Sequence, residues 1–440
     1  GGGRRPIMAP GIGGLLGQQG RLEVIGTDAG GVPALPVAAQ QLVGQAQLVA
    51  GPRRLRLDID LGAGQRWLDS DQPEQIFGPL AEALAAGQRV VLLASGDPLW
   101  FGIGRLLLQR FSPQQLRFHP APCALQLAFA RLGRPWQDAS WISLHGREPE
   151  PLAAELQKRP AALLVLTDPS CGGAESVRRI LRASGLEAAY GFWLAERLGH
   201  PAERVQRLEP GAPLPGDLDP LHLVLLLAEP PAEIDPASLP LFGLEDGLFL
   251  QHADRPGLMT KREVRIQLLA ELQLPERGVL WDLGAGVGSV GLEALRLRPG
   301  LALWALERRG GGAALIEANA RRLGVVPARV LEGSAPGALA QWPDPDRVLI
   351  GGGGRQRAEI LAAVLKRLRP GGLVVLPLAT LEALAALRPL LEQAGLAVRV
   401  GQLQAWRGAA LADGTRLAPL NPVLLLSGSL FSGSPPHCPP

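Results

Sequence analysis

Short apolar runs alternate with stretches of helical periodicity along most of the chain. Short, mainly apolar stretches of the kind that form strands occupy residues 22–25, 48–50, 89–94, 279–283, 301–306, 372–376, 398–403 and 423–426, and the stretch 89–94 is of the continuous, buried kind. Apolar residues recur at helical spacing over residues 76–84, 292–297, 315–323 and 381–395. Strands that alternate with helices in this way predict an α/β protein with parallel sheets.

A proline-rich stretch without periodicity, residues 229–240, divides the chain into two halves. Such composition is typical of a linker. A chain of 440 residues is long enough for two or three domains. We therefore predict a disordered segment, a domain, a linker, a second domain and a disordered tail, at residues 1–20, 21–230, 231–241, 242–428 and 429–440.

The most informative strand lies in the second half. The apolar run 279–283 contains Asp282, and three alternating glycines follow it, at Gly284, Gly286 and Gly288. A helical pattern begins directly afterwards. Glycines allow a tight turn, and they allow backbone N–H groups at a helix N-terminus to approach a ligand closely.

The next apolar run, residues 301–306, ends at an acidic residue, Glu307. A carboxylate at the end of the second strand can accept hydrogen bonds from both hydroxyls of a ribose. Together with the glycine turn, this predicts a pocket for a nucleoside-containing cofactor. A glycine-rich turn between a strand and a helix, without any ligand, is the alternative interpretation.

Two cofactors fit the glycine pattern. Gly286, Gly288 and Gly291 satisfy the G-x-G-x-x-G spacing of dinucleotide sites, which alone is a weak signal. Asp282 changes the balance, because a carboxylate before the glycines would repel a pyrophosphate but suits the cationic amino-acid end of S-adenosylmethionine (SAM). The D-x-G-x-G-x-G spacing resembles the first motif of class I SAM-dependent methyltransferases. SAM is therefore favoured over NAD.

The first half offers a second candidate site. The apolar run 89–94 is followed by Gly96, Asp97 and Pro98, a turn that exposes a carboxylate at the carboxyl end of a strand. Open α/β sheets bind ligands at that end. The same three residues are also common in turns that bind nothing.

The surrounding motifs resemble a known family. Residues 122–133, 135–136, 142–147, 163–168 and 195–199 match, in order and spacing, the tetrapyrrole methyltransferase family of class III SAM-dependent enzymes, closest to its CbiE-type branch. The resemblance implies a two-lobed fold, with lobes of about 21–118 and 119–230, that methylates C5 of a corrin precursor.

It also implies that SAM contacts Gly26, Gly96, Asp97 and Pro98. This chain departs from the family pattern at two positions near that cleft. Ala29 stands where the family's first loop has proline, and Cys123 stands where serine is common.

The second half resembles CbiT-type C15-methyltransferases. In that family the segment that matches residues 259–265 lies against SAM, which implies contacts of Thr260 and Lys261 with the SAM or substrate carboxylates. Thr260 and Glu263 also have the spacing of a capping box, which predicts that Thr260 caps a helix. Lys261 would lie at the positive end of that helix, where an anionic substrate group would offset the unfavourable dipole.

The adenine side of this pocket is expected near residues 330–336. Ser334 replaces the aspartate that faces the adenine amino group in the family, and Ala335 follows it. A hydroxyl can still accept that hydrogen bond, although more weakly. The glycines around Gly352 would leave room for a large flat substrate, or they would simply form a flexible loop.

Taken together, the two motif sets resemble the fused corrin-precursor methyltransferases of the CobL type. The resemblance implies a two-lobed class III fold followed by a class I Rossmann-like fold. It also implies SAM-dependent methylation of precorrin-6B or precorrin-6Y, or the cobalt form, at C5 and C15, with loss of the ring C acetate carboxyl to give precorrin-8. The alternatives are a class I methyltransferase with another substrate and a SAM-binding regulator. An RNA or protein methyltransferase would need a basic face or an N-P-P-Y-like loop.

Composition narrows the possible partners. The net charge is +3 and no basic run with interleaved aromatics occurs, which argues against nucleic acid. No apolar run approaches the ~20 residues that would span a bilayer. The histidines and cysteines show no metal-ligand spacing, so no metal is expected. We expect a cytoplasmic protein that acts on a small tetrapyrrole and, because relatives of both halves are oligomers, a homo-oligomer.

Overall fold

The computed structural model describes residues 20–145, 148–410 and 414–430. The segments that we predicted to be disordered, 1–20 and 429–440, lie outside the described residues except for Gly20, Ser429 and Leu430. The chain divides into two compact units: one runs up to Gln137 and includes residues 195–206, and the other contains residues 138–194 and everything from Arg207 onward. No described helix is long and apolar enough to cross a membrane.

The first unit is built on a five-stranded parallel sheet with the order β3-β2-β4-β1-β5. Its strands are β1 Leu22–Thr27, β2 Leu48–Gly51, β3 Arg66–Asp69, β4 Val90–Ser95 and β5 Leu116–His119. Its helices are α1 Val37–Gln45, α2 Phe77–Ala85, α3 Gly104–Arg110 and α4 Ala124–Leu132. Buried aliphatic residues lie on both faces of the sheet, as the continuous apolar runs predict.

A second five-stranded sheet follows, with the order β6-β7-β10-β8-β9. Its strands are β6 Ala139–Ser143, β7 Ala162–Leu166, β8 Tyr190–Glu196, β9 Arg204–Leu208 and β10 His222–Ala228, and its helices are α5 Glu150–Gln157 and α6 Gly173–Ala183. β6 and β7 are parallel, whereas β10 is antiparallel to β7. We call residues 138–194 and 207–228, which belong to the second unit, the middle module.

The remaining residues form a seven-stranded sheet with the order β13-β12-β11-β14-β15-β19-β16. Its strands are β11 Gly278–Leu283, β12 Leu301–Glu307, β13 Arg329–Glu332, β14 Arg347–Ile350, β15 Leu373–Leu378, β16 Ala397–Leu403 and β19 Val423–Ser429. The helices are α7 Arg262–Glu271, α8 Ser289–Leu297, α9 Gly312–Leu323, α10 Arg357–Arg367 and α11 Leu381–Gln393. The first five strands are parallel, and β19 is antiparallel to both of its neighbours.

The last strand corrects the predicted boundary of the tail by one residue. Ser429 belongs to β19, where it pairs with Leu373 of β15 and with Ala397 of β16. The sequence SGS has weak strand propensity, so only pairing on both sides explains why the strand continues.

A hairpin near the C-terminal end of the described residues was among the elements that were not predicted. Between β16 and β19 the chain forms an antiparallel hairpin of β17 Trp406–Ala410 and β18 Thr415–Pro419. Ala409, Ala410 and Ala418 are buried in the apolar core of the middle module, beside residues such as Leu163 and Val177. The C-terminal part of the chain therefore contributes to the core of a different sheet.

Candidate functional site

The carboxyl ends of β11, β12 and β14 surround a cavity of about 530 Å³. Seven of the residues predicted for the site in the second half line it, namely Thr260, Lys261, Gly284, Gly286, Glu307, Ser334 and Ala335. Asp282 and Gly288 do not line the cavity. The predicted residues therefore come together at the edge of the sheet where ligands bind in open α/β folds.

Gly284 is required by a close approach of two backbones. Its φ is +76°, and a Cβ there would lie 2.6 Å from the backbone nitrogen of Gly352. Gly352 lines the cavity, as does Gly351. The expected open space around Gly352 is therefore also the place where the turn after β14 packs on the turn after β11.

Glu307 holds the glycine turn and lines the cavity with the same carboxylate. Its Oε2 accepts a hydrogen bond from the Gly286 N–H at 2.5 Å, and its Oε1 accepts one from the Arg309 N–H at 3.0 Å. The Arg309 guanidinium pairs instead with Asp254. A carboxylate oxygen can accept more than one hydrogen bond, so Glu307 can still receive hydroxyl groups from a ligand.

Asp282 lies elsewhere than its predicted contact with the cofactor requires. Neighbouring strand residues point to opposite faces, and Leu283, not Asp282, reaches the cavity. Asp282 is buried and accepts a hydrogen bond from the backbone of Gly291 in α8. Burial, reinforced by the negative charge of Glu307, raises the pKa of Asp282 to about 7. Gly288 is likewise structural, because a Cβ there would lie 2.9 Å from the Ile316 side chain.

The predicted capping box at the start of α7 is wrong. The N-cap residue is Lys261, one position after Thr260, and no side chain caps this helix end. Glu263 instead binds the guanidinium of Arg407 through both carboxylate oxygens, at 2.8 and 3.0 Å. A charge-assisted bidentate pair is stronger than a hydrogen bond to a backbone N–H, which explains the difference.

A buried ion network behind the cavity was missed by the sequence reasoning. Arg265 is fully buried and donates to Asp246 and Glu293, each at 2.6 Å. Asp246 also accepts a hydrogen bond from Arg407 at 3.0 Å. The members come from distant parts of the chain, and only the unusual density of charge in residues 261–265 hinted at them.

Lys261 extends from the start of α7 to the cavity wall. Its Nζ donates to the carbonyl oxygens of Gly257 at 3.3 Å and Gln157 at 3.5 Å. Burial lowers the pKa of this ammonium group, and the charge of Asp246 partly opposes that shift. The positively charged Lys261 side chain thus lines the cavity and is hydrogen-bonded to neutral carbonyl groups.

Ser334 and Ala335 lie on the loop after β13. Ser334 is exposed at the cavity, whereas Ala335 is buried in the apolar core beneath it. The exposed hydroxyl is available to a ligand, and the buried methyl group fixes the loop that carries it.

The predicted site of the first half forms around the ends of β1 and β4. Gly26 cannot carry a side chain, because a Cβ would lie 2.7 Å from the Gly96 carbonyl oxygen and 3.1 Å from Pro98. Asp97 is half-buried and accepts hydrogen bonds from the N–H groups of Leu99 at 2.9 Å and Ala121 at 3.3 Å. All four predicted residues therefore meet at one place, where Asp97 ties two loops together.

The two departures from the family pattern have local explanations. Ala29 donates its backbone N–H to the Leu198 carbonyl oxygen at 3.0 Å, a hydrogen bond that proline could not make. Cys123 is the N-cap residue of α4, and its N–H donates to the Gln126 side chain at 2.9 Å.

Among the residues that the structure describes, no group of three or more His, Cys, Asp and Glu side chains is arranged to hold a metal ion.

Comparison with known proteins identifies the family. Residues 21–210 match the profile described as tetrapyrrole (corrin/porphyrin) methylases, and residues 252–428 match the profile described as precorrin methyltransferase domain. The precorrin-6Y C(5,15)-methyltransferase [decarboxylating] of Sinorhizobium sp. is 34% identical over 359 residues, which cover 80% of this chain and 83% of that protein. The chain belongs to the precorrin-6Y C5,15-methyltransferase (decarboxylating) family. The predicted family and fold class are thereby confirmed.

Some other relatives are shorter and match less than half of this chain. A probable cobalt-precorrin-6B C(15)-methyltransferase (decarboxylating) of Pyrobaculum calidifontis is 37% identical over 187 residues, which cover 42% of this chain and 94% of that protein. A solved structure of precorrin-6Y C5,15-methyltransferase from Geobacter metallireducens is 34% identical, covers 44% of this chain and 99% of its own, and has a TM-score of 0.41.

Proposed function

We propose that this protein uses SAM to methylate a corrin precursor at C5 and C15 and removes the carboxyl group of the ring C acetate, giving precorrin-8. One observation carries the C-terminal part of the proposal. The Glu307 carboxylate lines a cavity of about 530 Å³ beside a glycine turn, where no side chain of the turn keeps a ligand away from the backbone. This is the arrangement that a nucleoside with two ribose hydroxyls requires.

SAM supplies an electrophilic methyl group when it is bound. In the proposal, Glu307 accepts the ribose hydroxyls, the backbone at Gly284 and Gly286 lies along the cofactor, and the Ser334 hydroxyl accepts a hydrogen bond from the adenine amino group. The hydrogen bonds to the Glu307 carboxylate are charge-assisted, and each would contribute about 1.5–3 kcal/mol. These groups bind and orient, and none of them has to move a proton.

The Lys261 ammonium is proposed to bind a carboxylate of the tetrapyrrole. It lines the cavity, and it donates hydrogen bonds to the neutral carbonyl groups of Gly257 and Gln157. Meso carbons of a reduced tetrapyrrole are enamine-like nucleophiles, so alignment of the reacting atoms at about 3–3.5 Å would supply most of the rate acceleration. The conjugated ring can itself accept the electrons that are released when CO2 leaves.

The C5 reaction is assigned to the first half. Support comes from the profile match over residues 21–210 and from the convergence of Gly26, Gly96, Asp97 and Pro98 at the ends of β1 and β4. The proposal includes direct contact of these residues with SAM. A homo-oligomer that acts in the cytoplasm is part of the same proposal, on the ground of the family resemblance.

The test is mass spectrometry of precorrin-6B, with and without cobalt, after incubation with SAM and the purified protein. We expect a product that has gained two methyl groups and lost one CO2, and no change when SAM is omitted. SAM binding without any change in the mass of the substrate would overturn the proposal and favour a SAM-binding regulator. Transfer to another acceptor would favour a methyltransferase with a different substrate.

A further inference from the structure

We infer that the middle module completes the C-terminal cavity, and that the main-chain carbonyl of Gln157 positions Lys261 for the substrate. This inference rests on the proposed function in one respect, the assignment of Lys261 to a substrate carboxylate. Gln157 is the last residue of α5, and it lines the cavity together with residues of the seven-stranded sheet. The wall of the C15 site thus includes a residue from the half of the chain that is assigned to C5.

The hydrogen bonds of the Lys261 ammonium group show how many of its N–H donors are left for a ligand. An ammonium group has three N–H donors. Two of them are used by the carbonyls of Gly257 and Gln157, and among the described residues no carboxylate lies within ion-pair distance of Nζ. The third donor is left for a ligand in the cavity. The charged groups that act on Lys261 are Asp246, which favours its charge, and Arg407, Arg159 and Arg265, which oppose it.

A glycine permits the two segments to meet. Gly257 has a φ of +84°, and a Cβ there would lie 3.0 Å from the Gln157 carbonyl oxygen and 3.0 Å from Cγ of Arg159. Arg159 is itself buried, so it cannot easily move away. The segment 257–261 therefore lies directly on the turn that ends α5, and any side chain at position 257 would push them apart.

The hairpin β17–β18 makes hydrogen bonds both to the middle module and to residues near Lys261. Arg407 donates to the carbonyl oxygen of Ser184 in the middle module, and it also binds Asp246 and Glu263, on either side of Lys261. At the same end of the hairpin, where Trp406 pairs with Pro419, the Gln157 side chain donates to the Pro419 carbonyl oxygen at 3.4 Å. Leu420 and Asn421, which follow directly, line the cavity. The hairpin thus connects the middle module to the start of α7 and to the cavity lining that follows β18.

The test is Gly257→Ala in the full chain, with Gly395→Ala as the matched control. Gly395 has a similar φ of +78°, but nothing lies within 4 Å of its Cβ position. In Gly257→Ala we expect KM for the tetrapyrrole in the C15 reaction to rise about tenfold, because the ammonium–carboxylate contact is weakened. We expect kcat to change less than threefold and C5 methylation to stay unchanged. Gly395→Ala should leave all these values near those of the parent.

A double mutant shows whether the effect passes through Lys261. Lys261→Met alone should raise KM for C15 at least as much, and adding Gly257→Ala to it should raise KM no further, since groups that act as one unit are not additive. Additive effects would overturn the inference. Arg159→Gly, which keeps the positive φ but removes the packed side chain, is the second variant if Gly257→Ala does not fold. Arg159→Gly should also raise KM for the tetrapyrrole in the C15 reaction, and an unchanged KM would contradict the inference.

A readout without methyl transfer separates this inference from the proposed function. Lys261 is one of three lysines in the chain, so its acylation can be followed by mass spectrometry over a range of pH. We expect the midpoint for Lys261 to lie below the ordinary lysine value in the parent and to rise in Gly257→Ala, because opening the contact removes the burial that lowers the pKa. Equal midpoints would overturn the positioning role, even if both methylations occur.

Discussion

The two halves of this protein each carry a glycine and a carboxylate at the end of a parallel strand, yet the two carboxylates differ in what they reach. Glu307 accepts two backbone N–H groups and still lines a large cavity. Asp97 accepts two backbone N–H groups as well, from Leu99 and Ala121, and so ties two loops of the first unit together. The comparison teaches that a strand-end carboxylate can hold neighbouring loops together in either half, so its structural role and its proposed ligand contact must be tested separately.

The largest effect is expected at the glycine turn of the C-terminal site. Gly284→Ala should abolish SAM binding there and lower the melting temperature, because a Cβ would meet the Gly352 backbone at 2.6 Å and backbone cannot give way. Gly395→Ala is the control, since its φ of +78° is also positive but nothing lies within 4 Å of its Cβ position and it does not line the cavity. Calorimetry and thermal unfolding measure both. Equal losses in the two variants would mean that backbone strain, not the close approach, matters.

Asp97 tests the other side of the comparison. Asp97→Ala should abolish C5 methylation and leave C15 methylation and decarboxylation intact. The reason is that Asp97 holds together the loops at Leu99 and Ala121, which both belong to the first half of the chain. Asp97→Asn keeps one acceptor, so a purely structural role predicts that it retains at least a tenth of the C5 activity. Product analysis by mass spectrometry separates the two reactions. Loss of both activities in a folded Asp97→Ala protein would show that the halves are not independent here.

Glu307→Gln is expected to lower SAM affinity by about tenfold, since loss of the charge removes ~1.4 kcal/mol or more. The amide keeps one acceptor oxygen for the N–H groups of Gly286 and Arg309, but it cannot serve both and the ribose. Glu332→Gln is the matched control, because Glu332 ends the next strand and accepts the Gly311 N–H outside the cavity. Calorimetry compares the two, with circular dichroism to confirm folding. Equal affinities in both variants would remove Glu307 from the site.

A separate prediction, on stability and not on activity, concerns the pH dependence of folding. The pKa of Asp282 is raised to about 7 in the folded protein, so its proton is bound more tightly there than in the unfolded chain. Its stabilising contribution is therefore full below pH 4 and is lost as the pH rises to 7, by on the order of 4 kcal/mol.

Asp282→Asn should remove this part of the pH dependence and stabilise the protein at pH 8, since the amide oxygen can still accept the Gly291 N–H. Denaturant unfolding between pH 5 and pH 8 measures the difference. A variant whose stability follows the same pH curve as the parent would contradict the assignment.

Local signals explain why most of the fold was predictable. The strands at Leu22–Thr27, Gly278–Leu283 and Leu301–Glu307 are mainly apolar stretches that end beside a glycine or a carboxylate, and each appears where the pattern placed it. Such runs are buried on both faces by helices from nearby in the chain, so the local sequence contains the necessary information.

The parts that failed depend on residues far away in the chain. The hairpin at Trp406–Ala410 and Thr415–Pro419 contributes only small apolar residues, and its burial is visible only once the middle module is in place. The capping box failed for the same reason, because Glu263 is drawn to Arg407, 144 residues later. Asp282 was predicted to contact the cofactor but does not line the cavity, because the spacing of a motif does not say which face of a strand a side chain occupies.

Because Ala409, Ala410 and Ala418 lie in the core of the middle module, that module cannot finish packing until almost the whole chain has left the ribosome. Its own strands, β6 to β10, end near residue 228 and must wait for some 190 further residues. Cutting the chain in the segment that we predicted as a linker would therefore leave two pieces that stay together. A protease-nicked sample should pass through a sizing column as one species.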